Sequence, residues 1–186
     1  MYIIEFENID VGYDEKVVLK NINLKIKSGE HFAILGANGS GKSTLMKLIQ
    51  SQIHPRHTKE FKKEIFGKSR YSIFELKKEL GVITNDLHNY FEKEAGYLNG
   101  FEVVLSGYYS SIGIFTHQDF TKKQIQKAIE VMNFLEIIDL KNKKVSSMST
   151  GQLRKCIVAR ALIHDPKAFV LDEPTVGLDI KAQINF

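Results

Sequence analysis

The sequence predicts an α/β fold in which a mostly parallel sheet is flanked by helices, with an antiparallel β layer before it. Three observations carry this expectation. Residues 2–26 alternate apolar and polar with period two, the pattern of half-buried strands. The apolar run Phe32-Ala33-Ile34-Leu35 leads into a glycine-rich loop, Gly36 to Thr44, and then into Leu45-Met46-Lys47-Leu48-Ile49, which reads as strand, loop and helix. Far along the chain a second short apolar run, Phe169-Val170-Leu171, ends in two carboxylates, Asp172 and Glu173.

With 186 residues, 43% hydrophobic and 26% charged, the chain suits one well-buried domain. No apolar run approaches the roughly 20 residues of a membrane span, and Met1 leads straight into alternating residues rather than a signal segment. A single cysteine, Cys156, excludes an internal disulfide and fits a reducing compartment. The expected location is cytoplasmic. Net charge is +4, with basic clusters at 59–63, 68–70, 77–78 and 141–144. Acidic residues lie among them, so a solvated face is favoured over a nucleic-acid surface, and no nucleic acid is expected.

Taken in order, Ile4, Phe6, Ile9 and Val11, then Val17-Val18-Leu19, then Ile22 to Ile26 predict an antiparallel β layer, with turns at Gly12-Tyr13-Asp14 and Lys27 to Glu30. Gly36-Ala37-Asn38-Gly39-Ser40-Gly41-Lys42-Ser43-Thr44 fits G-x-x-x-x-G-K-[ST], the P-loop, in its confirming context of strand before and helix after. Its glycines let backbone N–H groups converge on phosphate oxygens at a helix N-terminus. Lys42 is placed to reach the β and γ phosphates and Ser43 to ligate Mg²⁺.

The predicted helix covers about 42–50. Residues 51–72 are polar, basic and weakly patterned, Glu79 to Thr84 reads as a buried strand, and residues 85–115 give no clear period beyond a helix or strand at Phe101 to Leu105. Ile125, Ala128, Ile129, Met132 and Leu135 share one face of a helix over about 121–136, capped by Thr121. Ser149 and Gln152 have capping-box spacing ahead of another helix, 153–163. Gly151 in its first turn is unusual unless a phosphate approaches the backbone. The strand at 167–171, set parallel beside the P-loop strand, would present Asp172 to the magnesium sphere and Glu173 to the attacking water.

Together these residues resemble the ATP-binding subunits of ABC transporters over nearly the whole chain. Gly36 to Thr44 looks like Walker A, Met148-Ser149-Thr150-Gly151-Gln152 like the LSGGQ signature, Phe169 to Glu173 like Walker B, and Gly177-Leu178-Asp179 like the D-loop. Residues 101–115 look most like importer ATPases of molybdate or iron-chelate type. The resemblance implies a P-loop NTPase fold spanning 1–186, with a catalytic core at about 1–84 and 165–186 and a helical subdomain at about 85–164. It implies ATP and Mg²⁺, a second ATP-binding subunit arranged head to tail, and an integral membrane permease at the inner face of the membrane.

In that arrangement Glu173 and Lys42 are the catalytic residues. Tyr13 stacks on adenine, the P-loop and the partner's Ser149, Gly151 and Gln152 enclose the phosphates, and Ser43, Asp172 and Asn85 serve the metal. Three departures stand out: Asn85 where the family keeps a glutamine, Thr150 for the first signature glycine, and a chain ending at Phe186 before the family's switch histidine. Asn85 bears on magnesium contact and on signalling to the membrane subunit, and Thr150 adds a side chain beside the phosphate site. For a naturally shortened chain, the missing γ-phosphate contact carries the expectation of ATP binding with weakened hydrolysis. His54-Pro55-Arg56-His57 has no further ligand cluster, so no metal is expected there.

Overall fold

Two twelve-residue strands, β1 (Tyr2–Tyr13) and β2 (Lys16–Lys27), form an antiparallel hairpin closed at Tyr13↔Lys16. The computed structural model describes residues 1–56 and 60–173, and the chain divides into two compact units, Met1–Leu76 and Lys77–Phe186. In the first unit β1 is the central strand of a sheet ordered β2-β1-β3, with β3 (Lys62–Ile65) antiparallel to it.

The inward face of β1 shows why strict alternation fails there. Ile4 and Phe6 are buried, and so are Ile9 and Val11, which have the opposite parity. The register shifts between Phe6 and Ile9, and Asn8 lies in the left-handed region at φ 54°. A bulge at Asn8 therefore absorbs one residue and returns the next apolar pair to the same face. The third strand was not legible in the basic stretch 51–72. It is four residues long, and Lys62 reaches across to Glu5 at 2.7 Å.

The helix after the glycine-rich loop, α1 (Lys42–Ile49), forms as expected, burying Leu48 and Ile49. The expected strand at Phe32–Leu35 does not: residues 30–37 carry no strand, and Phe32 and Leu35 are 57% and 91% exposed. An apolar run becomes a strand only through ladder partners, and among the described residues none pairs with it.

In the second unit, a short helix α2 (Ile73–Glu79) that begins in the first unit runs directly into β4 (Leu80–Ile83). Its parallel partner is β5 (Ala168–Leu171), paired from Leu80↔Ala168 to Ile83↔Leu171. The sequence placed β5 beside the P-loop strand; its neighbour among the described residues is β4 instead. Gly81 is needed at this pairing, because a Cβ there would lie 2.6 Å from the Phe169 ring.

Among the described residues four α-helices follow in this unit: α3 (Asn85–Glu94), α4 (Gly100–Leu105), α5 (Lys122–Phe134) and α6 (Thr150–Leu162). The first two resolve the stretch that lacked a period, and Asn99 with Glu102 forms a capping box at the start of α4. On α5 the Thr121 cap holds, and Ala128 and Met132 are fully buried while Ile125 stays exposed. Phe91, Val103, Val104, Met132, Cys156 and Ile157 are central to the core. None of the described helices is long and apolar enough to cross a membrane.

Candidate functional site

In the first unit the glycine-rich loop is a backbone cradle. Gly39 and Gly41 have φ of 80° and 92°, a region closed to most side chains, and Gly41 is the N-cap of α1. A Cβ on Gly36 would come 2.7 Å from Ser40 Oγ, and one on Gly41 would meet Leu19 Cδ2 at 2.4 Å. The loop folds back on itself: the Ser40 N–H donates to the Ala37 carbonyl at 3.2 Å, and Lys42 Nζ donates to the carbonyls of Gly36 at 2.7 Å and Ala37 at 2.9 Å. Residues 36–40, including Asn38, are exposed, as is Ser43; Thr44 is buried in the first turn.

No side chain caps α1 and no acidic residue lies in its first turn. Helix geometry leaves the first amides, Lys42 to Thr44, without intrahelical acceptors. Uncapped amides, a positive helix end and a lysine folded over the loop fit phosphate groups, which supply acceptor oxygens and negative charge. The Ser43 hydroxyl, exposed beside them, fits a magnesium ion held on those phosphates.

Tyr13 sits at the hairpin tip, 42% exposed, with Lys47 Nζ of α1 5.9 Å from its ring centroid. Arg56 holds that tip by donating from Nη2 to the carbonyls of Tyr13 (3.4 Å), Asp14 and Lys16 (3.2 Å). Sequence reasoning missed Arg56, because its partners are backbone carbonyls some forty residues earlier. Among the described residues no cluster of three or more histidine, cysteine or acidic side chains could hold a metal ion.

In the second unit parallel pairing brings two chain ends to one edge of the sheet. The Asp172 N–H donates to the Ile83 carbonyl at 3.0 Å, so the ladder runs to the last residue before Glu173. From the neighbouring strand Thr84 caps α3, accepting from the Leu87 N–H at 3.2 Å, and Asn85 is the first helical residue. Asn85 Nδ2 donates to Glu173 Oε2 at 3.2 Å, and Asn85 Oδ1 accepts from Arg154 Nη2 at 2.7 Å. Asp172, a carboxylate at the edge, fits a hard dication. Asn85 fits one poorly, since its one side-chain acceptor already faces a guanidinium and would bring a metal against that positive charge.

The signature-like segment forms a full capping box on α6. Gln152 N–H donates to Ser149 Oγ at 3.2 Å, and Ser149 N–H donates to Gln152 Oε1 at 3.1 Å. Lys143 Nζ also donates to Gln152 Oε1, at 2.9 Å, giving one of the basic clusters a specific partner. Thr150 and Gly151 occupy the first turn. Buried neighbours shape the nearby titrating groups: desolvation and then the Arg154 charge push His88 down, and burial pushes the Cys156 thiol up to about 12. The D-loop-like Gly177-Leu178-Asp179 lies outside the described residues.

The family model described as ABC transporter matches residues 19–176. An ABC transporter ATP-binding protein of Methanocaldococcus jannaschii is 35% identical over 187 residues, covering 98% of this chain and 60% of its own length. ModF of Escherichia coli is 34% identical over 176 residues, covering 91% of this chain and 34% of its own. The chain thus spans about a third to three fifths of the length of these curated relatives. Among solved structures, cbiO1 of Clostridium perfringens, part of the ABC transporter complex cbiONQ, superposes with a TM-score of 0.77 at 28% identity, covering 99% of this chain and 70% of that one. A transporter assigned to the metal-chelate type, in an inward-facing conformation, gives 0.76 at 26% identity, covering 98% and 64%. The fold is that of ABC ATPase domains, and the chain belongs to the ABC transporter family of ATP-binding proteins.

Proposed function

We propose that the chain is the ATP-hydrolysing subunit of an ABC importer for a metal chelate or oxyanion, working with Mg²⁺, with a second copy head to tail, and with an integral membrane permease at the inner face of the membrane. The observation that carries nucleotide binding is the uncapped start of α1 with Lys42 folded over it. The neighbour of metal-chelate type supports the metal-chelate reading, and the cbiONQ component supports work within a transporter complex.

Within that reading each group has a separate task. The amides at the start of α1 and the Lys42 ammonium bind phosphate oxygens, and Tyr13 supplies a ring for the base. Ser43 in the first unit and Asp172 in the second each offer an oxygen suited to Mg²⁺, which would supply charge neutralisation on the β and γ phosphates. Glu173 accepts a proton from the attacking water and orients it. Ser149, Gly151 and Gln152 would face the γ-phosphate of the second copy, with the first-turn amides of Thr150 and Gly151, which the Ser149–Gln152 capping box leaves over, as donors, so closure of the pair depends on that phosphate.

The test is a titration of the chain with a fluorescent ATP analogue. Lys42→Ala removes charge-assisted hydrogen bonds worth about 1.5–3 kcal/mol, so affinity should fall roughly 10- to 100-fold with the thermal midpoint little changed. Unchanged affinity in K42A, or a preference for guanine nucleotides, would contradict the proposal.

A further inference from the structure

Arg154 is almost fully buried, 1% exposed, and no motif accounts for it. It stands one turn into α6, past the signature-like cap, and donates to Asn85. Burying a charge is unfavourable unless polar partners compensate, so its contact with Asn85 is a strong structural commitment.

We infer that Arg154 is a positioning residue for the general base, fixing through Asn85 which way the Glu173 carboxylate faces. This rests on the reading of Glu173 as that base. A guanidinium only donates, so the atom of Asn85 facing Arg154 at 2.7 Å is the oxygen. The amide nitrogen must then point the opposite way, where it meets Glu173 Oε2 at 3.2 Å. An ionised carboxylate only accepts, so this pairing suits the charged base and leaves Oε1 for a water.

Removing the arginine would free the Asn85 amide to flip and present its oxygen to the carboxylate, a repulsive pairing. The shorter side chain at position 85 suits this role. Asn85 starts α3 immediately beyond β4, and Glu173 follows β5, its parallel neighbour, so an amide of this length spans them. Glu173 itself lies in the left-handed region at φ 47°, a conformation that needs support from its surroundings. The same guanidinium belongs to the helix whose first turn carries Ser149 and Gln152. The signature helix and the base are thereby joined by two hydrogen bonds within one subunit.

The test uses the full chain with Arg154→Met, Arg154→Gln, Glu173→Gln and, as a control on the exposed side of α6, Lys155→Met. R154M should lower kcat for ATP at least 10-fold with KM within twofold, and R154Q, which keeps a donor, should recover most of it. In nucleotide-free protein the side-chain NH₂ resonances of Asn85 should move in R154M and E173Q and stay in place in K155M; this readout needs no turnover. If R154M is poorly folded, R154Q is compared with wild type by the same signals. An Asn85 amide signal untouched by R154M, or an R154M kcat equal to wild type while E173Q is inactive, would overturn the inference. Wild-type turnover in E173Q would instead remove the base reading on which it stands.

Discussion

The two units present their candidate groups by opposite means. In Met1–Leu76 the cradle is made of backbone: glycines at positive φ, uncapped amides, and one lysine lying over exposed residues. In Lys77–Phe186 the groups are side chains, and each is held by another: Gln152 by Ser149 and Lys143, Asn85 by Arg154, Glu173 by Asn85. A backbone cradle depends on a few local dihedral angles. A relay of side chains depends on the core that fixes its helices.

Core damage should therefore separate the two. Ile157 is fully buried and lies on α6 one turn beyond Arg154. Ile157→Ala should cost about 2–5 kcal/mol, read as a lower urea midpoint, and should disturb the Asn85 amide signals. Nucleotide affinity measured below the unfolding range should stay near wild type. Equal loss of affinity and stability would show that the cradle also depends on that core.

A smaller effect probes the cradle from the other side. Gly41→Ala meets two obstacles, Leu19 Cδ2 at 2.4 Å and a φ of 92°. The Leu19 methyl is the free end of a flexible side chain and can swing away; the dihedral cannot. Backbone strain of about 1–2 kcal/mol should dominate, so Leu19→Ala added to G41A should restore little of the stability or the nucleotide affinity. Full rescue by L19A would mean that the contact with β2, rather than the backbone, requires glycine.

The same difference explains what the sequence revealed. Gly36 to Ser43 was legible because its chemistry is local and each residue type is demanded by a dihedral or a phosphate. The caps at Thr121 and Ser149 were legible for the same reason, with both partners three residues apart. Arg154 and Arg56 were not, since their partners lie 69 and about 40 positions away. The strand β3 hid because Lys62 and Lys63 look like a solvated face until the Glu5 carboxylate on β1 comes within reach of Lys62. The run Phe32–Leu35 misled in the other direction, because apolar composition marks strand potential and ladder partners decide it.

Titration gives the smallest and most selective contrast. In the second unit burial, reinforced by Arg154 and partly opposed by Glu92, lowers His88 below its usual 6.5; burial, Lys78 and Arg160 lower His164, against hydrogen bonds it donates to the Gly107 and Tyr108 backbone. Both histidines are neutral in folded and unfolded chains above pH 6.5. Below it the unfolded chain binds protons that the folded one resists, so stability falls as pH drops through that range. In the first unit burial brings Lys63, whose Nζ donates to Ser51 Oγ at 2.9 Å, down to about 8 from 10.5. From about pH 8 to 9 the unfolded chain again holds the extra proton, so stability rises with pH in a window the histidines do not touch; above 9 the Cys156 thiol, which burial keeps protonated in the folded chain, opposes the rise. Urea midpoints across pH 5.5–9 should show both slopes. His88→Leu should flatten only the acid one, because neither ring nitrogen has a hydrogen-bond partner among the described residues, and Lys63→Met only the alkaline one. A wild-type profile flat below pH 6.5, or an acid slope that survives in H88L undiminished, would remove His88 as its source.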